Sequence, residues 1–280
     1  MVDLSNDVVI HKKYDDFEYI QFRRLLEFPN LKHAYAIKPQ NYKTAGIGMQ
    51  EGDYEKAIEN YEKICNYLNL DINKLVKPNQ KHTNNVRIVQ NIDEMDIAKT
   101  YIETDGLITS VNKNVLATCN ADCILLLCYD PVKNVIANVH SGWKGTANKI
   151  AEVTINKMIS EYNCNPKDVI CCICPSIRKC HFEVEKDVKD IFQSNFEYTG
   201  RLDEIIEHKG KKQSTNGELV DKWVIDTVLI NRILLADCGI LQENIIDSGI
   251  CSVCDSDSIH SCRVEGKDKY GLNSAIIAMI

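Results

Sequence analysis

The chain has no apolar stretch approaching the roughly 18 residues that suggest a membrane span; its longest is the short run Cys123-Ile-Leu-Leu-Leu-Cys-Tyr129. Its first thirty residues mix charged and aromatic side chains (Met1-Val-Asp-Leu4, His11-Lys-Lys-Tyr14) and lack the basic start, apolar stretch and small-residue cleavage site of a secretory signal. No membrane partner is expected, and a cytoplasmic location is. Glycine and proline are scarce, 13 and 6 residues, which excludes collagen and low-complexity coils, and 44% apolar residues exclude a disordered chain. Positive charge is also short: 33 basic against 40 acidic residues leave a formal charge of −7, so nucleic acid is a poor partner and small ligands are better ones. No internal repeat interrupts the chain.

Cysteine, by contrast, is abundant, with 13 in 280 residues. The number is odd and the expected compartment reducing, so metal ligation, catalysis and plain packing are all better readings than disulfides. For any single Cys, burial as a small apolar residue comes first.

The periodicity of Tyr54, Ala57, Ile58, Tyr61, Ile64, Cys65 and Leu68 predicts an amphipathic helix over Asp53 to Leu68. Val86 to Val89, Gly106 to Thr109 and Val115 to Thr118 read as strands. Cys123 to Cys128 and Val135 to His140 read as two more, joined by a turn-rich segment, and a symmetric hairpin pairs Cys128 with Val135 and Cys123 with His140. One helix of about four turns follows Gly145, from Ala147 to Tyr162. Beyond it come a strand at Val169 to Ile173, a helix near Val184 to Phe192, a polar loop from Tyr198 to Gly217 and a helix from Val224 to Cys238. These elements give an α+β chain, and the polar loop reads as an insertion more than as a domain boundary.

Unusual residues gather at Gln80-Lys-His82, Asn120-Ala-Asp-Cys123 and Val139-His-Ser-Gly-Trp-Lys-Gly145. Facing positions of an antiparallel pair carry Cβ atoms about 5 Å apart, so Cys123 and His140 can reach one metal ion. His82 from a preceding loop would complete a two-His, one-Cys set with a fourth position open, the pattern of a catalytic zinc site. Asp122, beside Cys123, is a candidate acceptor for an imidazole N–H or a general base. Lys144 and the helix start after Gly145 suit an anion such as phosphate, and Arg263 is a further anion contact. Cys251-Ser-Val-Cys254 is half of a structural zinc motif whose other half would have to come from the stretch between Cys174 and His181; buried strand-end thiols are the preferred reading of these cysteines.

The same residues carry a resemblance. Gln80-Lys-His82, Thr104-Asp-Gly-Leu-Ile-Thr109, Ala121-Asp-Cys123, Val139 to Gly145, Cys174-Pro-Ser-Ile-Arg-Lys-Cys-His-Phe-Glu-Val184, Cys251-Ser-Val-Cys-Asp255 and Ser261-Cys-Arg263 resemble, in order, the motifs of the laccase-domain family. Its members were long called multicopper polyphenol oxidases and are now regarded as purine nucleoside phosphorylases. The resemblance implies an α+β fold, a single-domain mixed sandwich of β-sheets flanked by helices, with residues 1–30 as an N-terminal extension and residues 31–280 as the catalytic domain, and it implies that His82, Cys123 and His140 bind one zinc ion, with copper the lesser candidate. It also implies phosphorolysis of adenosine, inosine, guanosine and methylthioadenosine, together with deamination of adenosine; the partners are then purine nucleosides and inorganic phosphate. Asp122, Lys144 and Arg263 are the candidate catalytic residues. Four positions depart from the family pattern: Lys144 for Arg, Cys174 for Gly, His181 for Cys, and Leu272 where an Arg follows the C-terminal glycine. Two guanidinium forks are thereby missing, which predicts weaker anion binding. Three other readings stay open: a cysteine hydrolase using Cys123 and His140, a copper-dependent phenol oxidoreductase, and a nucleoside-binding regulatory module.

Overall fold

A computed structural model describes residues 3–14, 17–38, 54–213 and 217–280. Asp53, the first residue of the predicted N-terminal helix, and residues 214–216 of the predicted polar loop lie outside them. Strands and helices are numbered along the chain.

Two sheets face each other. The first runs β1 (Val9–Lys13), β2 (Glu18–Phe22), β3 (Leu31–Ile37), β16 (Asn273–Met279), β8 (Val115–Asn120), β4 (Leu75–Lys77), β6 (Asp96–Ile97). The second runs β15 (Ile245–Asp247), β11 (Ile170–Ile173), β9 (Ile124–Asp130), β10 (Val135–Ser141), β7 (Gly106–Thr109), β5 (Val86–Ile88). A small third sheet orders β12 (Glu183–Val184), β14 (Leu219–Ile225) and β13 (Ile206–Gln213). Helix α1 (Tyr54–Leu68) covers the outer face of the first sheet through Ala57, Tyr61, Ile64, Cys65 and Leu68. The outer face of the second is covered by α2 (Trp143–Ala147), α3 (Ile150–Tyr162), α4 (Lys186–Phe196) and α6 (Thr227–Asp237), while α5 (Leu202–Ile205) and α7 (Cys262–Glu265) are single turns. The chain is therefore an α+β sandwich with helices on both flanks, as its sequence predicts.

This layering explains the apolar run around β9. Ile124, Leu126 and Cys128 point to the helices, whereas Leu125, Leu127 and Tyr129 point between the sheets, so every residue of the strand is buried and no polar alternation survives. Each such Leu or Ile contributes on the order of 1.5–3 kcal/mol. Asn138 on β10 stitches the sheets together by donating to the Leu116 carbonyl at 2.9 Å and the Ala275 carbonyl at 2.8 Å.

Several expectations need correction. In the hairpin, Val135 pairs with Asp130 and His140 with Leu125, two residues away from the predicted register. The strand runs on to Asp130 because Asp130 Oδ1 accepts from the Val132 and Lys133 amides and tightens the turn. The predicted four-turn helix is two helices, broken at Lys149, which adopts a left-handed conformation (φ 58°). The polar loop from Tyr198 holds β13, an exposed ribbon strand whose three lysines and other polar residues hide its pairing with β14. The helix predicted from Val224 starts at Thr227, because Val224 and Ile225 belong to β14 and Asp226 caps the helix by accepting from the Leu229 amide at 2.8 Å.

Candidate functional site

The site sits where the two sheets part. β8 ends the first sheet at Asn120, the chain crosses through Ala121, Asp122 and Cys123, and β9 starts the second sheet at Ile124. Asp122 makes this crossing at φ 86°, a conformation few non-glycine residues adopt. The two-residue register shift leaves the side-chain parity unchanged, so Cys123 and His140 still share the inter-sheet side, now as diagonal neighbours. His82 arrives from the loop between β4 and β5, also at a positive φ of 59°.

The three side chains converge. His82 Nε2 lies 3.7 Å from Cys123 Sγ, the two imidazoles meet edge-on with centroids 4.8 Å apart, and one ligand atom from each residue falls within 4.8 Å of the others. One sulfur and two nitrogens at this spacing fit a small divalent cation of the zinc type and leave a coordination position open. Gly142 supplies the room: a Cβ there would stand 2.6 Å from His82 Cδ2, 3.2 Å from His140 Cε1 and 3.3 Å from Cys123 Sγ. The turn that carries Gly142 is pinned from behind, since Ser141 Oγ donates to Asn231 Oδ1 at 3.0 Å and also bonds Thr146 Oγ1 at 2.9 Å. Gly145 lets α2 approach the His82 loop, because a Cβ there would meet the Thr83 carbonyl at 3.0 Å.

Asp105, at the start of β7, organises the trio. Its carboxylate accepts from His140 Nδ1 at 2.7 Å, from the amides of Lys81, His82 and Thr83 at 3.2, 3.0 and 2.8 Å, and from Thr83 Oγ1 at 2.7 Å. One buried carboxylate therefore sets the His140 tautomer, leaving Nε2 for a metal, and clamps the loop that delivers His82. Burial works against its ionisation, but the His140 and Thr83 bonds outweigh that and bring its pKa down to about 2. Burial likewise opposes charge on Cys123 and His140, yet each favours the other's ion: the thiol is held down at about 6 and the imidazole up at about 9. Asp105 lies in the Thr104-Asp-Gly motif, where the only sequence signal of its role is a carboxylate just before a strand that borders the His140 strand. Asp105→Asn should lower zinc affinity about 10–100-fold, since the amide cannot accept from both sides; competition with a chromogenic chelator would measure this, and unchanged affinity would deny Asp105 the role.

The other predicted residues fall differently. Asp122 Oδ1 accepts from Ser252 Oγ at 2.6 Å and Oδ2 from the Arg263 amide at 2.7 Å, so this carboxylate anchors the Arg263 segment and the imidazole acceptor is Asp105 instead. Arg263 lines the cleft and its guanidinium donates to the carbonyls of His181 and Glu183 at 3.3 and 3.4 Å. Lys144 is exposed and sits over the Trp143 ring, 5.6 Å from its centroid, and is not among the cleft-lining residues. The expected helix start after Gly145 is instead the end of the five-residue α2, which begins at Trp143.

The cleft over the trio has a volume of about 930 Å³, room for a nucleoside and an anion together. Trp143, Tyr270 and Leu272 give it apolar wall, and Lys77, Lys81, Lys267 and Arg263 give it positive charge. Lys77 is only 8% exposed. Among the described residues none of these four cations pairs with a carboxylate, and Asp122 is the one acid in the lining. An acidic chain thus keeps a basic cleft, a field that draws anions in. Leu272, where the resembling family has Arg, lines this same cleft.

"Purine nucleoside phosphorylase YlmD" of Bacillus subtilis (strain 168) is 29% identical over 246 residues, covering 86% of this chain and 84% of its own. "Adenosine deaminase RL5" of an unknown prokaryotic organism is 28% identical over 214 residues, 74% of each chain. The crystal structure of the Bacillus licheniformis hypothetical protein YfiH superposes with a TM-score of 0.81 at 24% identity, covering 95% of this chain and all of that one, and establishes the fold. The family model described as "Multi-copper polyphenol oxidoreductase laccase" matches residues 32–280, and the chain belongs to that family.

Proposed function

We propose that this protein is a zinc-dependent purine nucleoside phosphorylase, acting on adenosine, inosine, guanosine and methylthioadenosine, that also deaminates adenosine. The observation that carries the reading is the His82–Cys123–His140 trio at the base of a cleft lined by Lys77, Lys81, Lys267 and Arg263, none of which pairs with a carboxylate among the described residues. Zinc held by these three side chains supplies a Lewis acid with a vacant position, one that serves either reaction. In phosphorolysis a phosphate oxygen bonds to ribose C1′ as the C1′–N9 bond breaks, and the electron pair leaves on the base. Arg263, Lys81, Lys77 and Lys267 hold the phosphate, Trp143 and Tyr270 bracket the purine, and Asp122 keeps Arg263 in place. One relative is named a purine nucleoside phosphorylase and another an adenosine deaminase, which supports pairing the two activities.

Product analysis with zinc-replete protein and adenosine tests the reading. Adenine with ribose 1-phosphate should form only when phosphate is present, and inosine should form without it; no base release under either condition would sink the proposal. Within the site, Arg263→Ala should raise the KM for phosphate about tenfold or more, since a charged hydrogen bond contributes roughly 1.5–3 kcal/mol. Lys144→Ala should leave that KM unchanged, and a rise there would return Lys144 to the anion site. A cysteine hydrolase is the second reading, favoured by the thiolate and imidazolium character of Cys123 and His140. It predicts activity that survives chelation, whereas the metal enzyme loses it.

A further inference from the structure

A second group of ligand-type side chains lies outside the trio. Cys180 and His181, in the connection from β11 to β12, meet Cys251 and Cys254 in the loop after β15. His181 Nδ1 stands 3.1 Å from Cys180 Sγ, 3.6 Å from Cys251 Sγ and 3.7 Å from Cys254 Sγ, and the Cys180 and Cys251 sulfurs are 3.7 Å apart. All four ligand atoms fall within 4.8 Å of one another. We propose that Cys180, His181, Cys251 and Cys254 form a second, structural metal centre that takes a zinc(II) ion in a closed Cys3His set.

Packing does not account for this group. Cys171, Cys172 and Cys174 are buried thiols of β11 and its end, as the sequence predicts, whereas Cys180 and Cys254 are exposed. Sulfur and nitrogen ligands around one tetrahedral zinc are about 3.3–3.8 Å apart, given bonds of about 2.3 Å to sulfur and 2.0–2.1 Å to nitrogen; three of the four separations fall in that range, and the fourth, between the adjacent Cys180 and His181, is 3.1 Å. Three thiols and an imidazole without a carboxylate suit zinc better than calcium or magnesium. The backbone brings the halves together independently of any ion: Ser176 bridges Cys251 in parallel, with the Ser252 amide donating to the Ser176 carbonyl at 3.0 Å. The Cys251-Ser-Val-Cys254 turn closes on itself through the Asp255 amide and the Cys251 carbonyl, 3.0 Å apart.

The position gives the ion a purpose. Between the two turn cysteines, Ser252 donates to Asp122, and the carbonyl of His181 accepts from the Arg263 guanidinium. A closed metal centre here ties the two loops that hold one wall of the cleft, and so positions Arg263 without touching substrate.

Zinc stoichiometry of the intact chain, by native mass spectrometry and elemental analysis after reconstitution with zinc(II), is the test. Wild type should hold two ions, Cys254→Ser one and Cys254→His two, and His82→Ala should lose the other ion while keeping this one. With cobalt(II) in place of zinc, the intense near-ultraviolet thiolate charge-transfer absorption should fall by most of its amplitude in Cys254→Ser and persist in His82→Ala. A single ion in wild type that His82→Ala removes, or a Cys180–Cys251 disulfide found by peptide mapping of the native chain, would overturn the proposal and leave the reading of the cleft untouched.

Discussion

Cys123→Ala is expected to abolish zinc binding by the trio and to cut nucleoside turnover by about a thousandfold or more, with the fold intact. Lewis-acid stabilisation is worth several kcal/mol and each 1.4 kcal/mol is tenfold in rate, which sets the size. Cys123 is the one thiol of the set, and against the opposing effect of burial the neighbouring His140 and His82 hold its pKa down at about 6, which favours the thiolate that binds metal at neutral pH. It is half-buried on the sheet-to-sheet crossing, and its loss opens onto the cleft instead of leaving an enclosed cavity, so thermal stability of the ion-free protein should change little. Zinc content, base release and melting temperature measured on one preparation decide the matter: full activity without Cys123 would contradict the metal mechanism.

Gly142→Ala should nearly match that loss by a different route. The backbone at Gly142, φ −63° and ψ 169°, suits any residue, so alanine introduces no conformational strain. The obstacle is the methyl group itself, 2.6 Å from His82 Cδ2 and within 3.3 Å of Cys123 Sγ, in the space between the three ligands. Backbone cannot retreat easily on the other side, because Ser141 and Thr146 are held to Asn231 in the buried base of α6. His82, on an exposed loop, is the group that moves, and a displaced ligand lowers metal affinity by about 10–100-fold or more. Stability should fall by only about 1–3 kcal/mol, the ordinary penalty of overpacking. Zinc affinity from chelator competition, set beside the unfolding midpoint, checks this; unchanged affinity would mean that the ligands do not close around Gly142.

The meeting of Cys123 with His140 was legible in the sequence because parity is robust. A hairpin register wrong by two residues still leaves Cys123 and His140 on the same side of the ribbon, whereas an error of one would have separated them. α1 was legible for a similar reason, its apolar residues repeating along one face. β13 was not, since an exposed, lysine-rich strand carries no apolar alternation to read. Nor was the break at Lys149, where a single left-handed residue divides a continuous helical pattern.

Composition, apolar spacing and ordered motifs determined the α+β class, the strands that bracket the site, and the choice of His82, Cys123 and His140 as candidate ligands, because these depend on local periodicity and on chemistry intrinsic to each side chain. Tertiary structure alone decided that Asp105 and not Asp122 holds His140, that Lys144 stands outside the cleft while Lys77 lines it, and that Cys180 and His181 meet Cys251 and Cys254. Each of those outcomes joins segments far apart in the chain, and only the packing of one sheet on the other sets the angstroms between them.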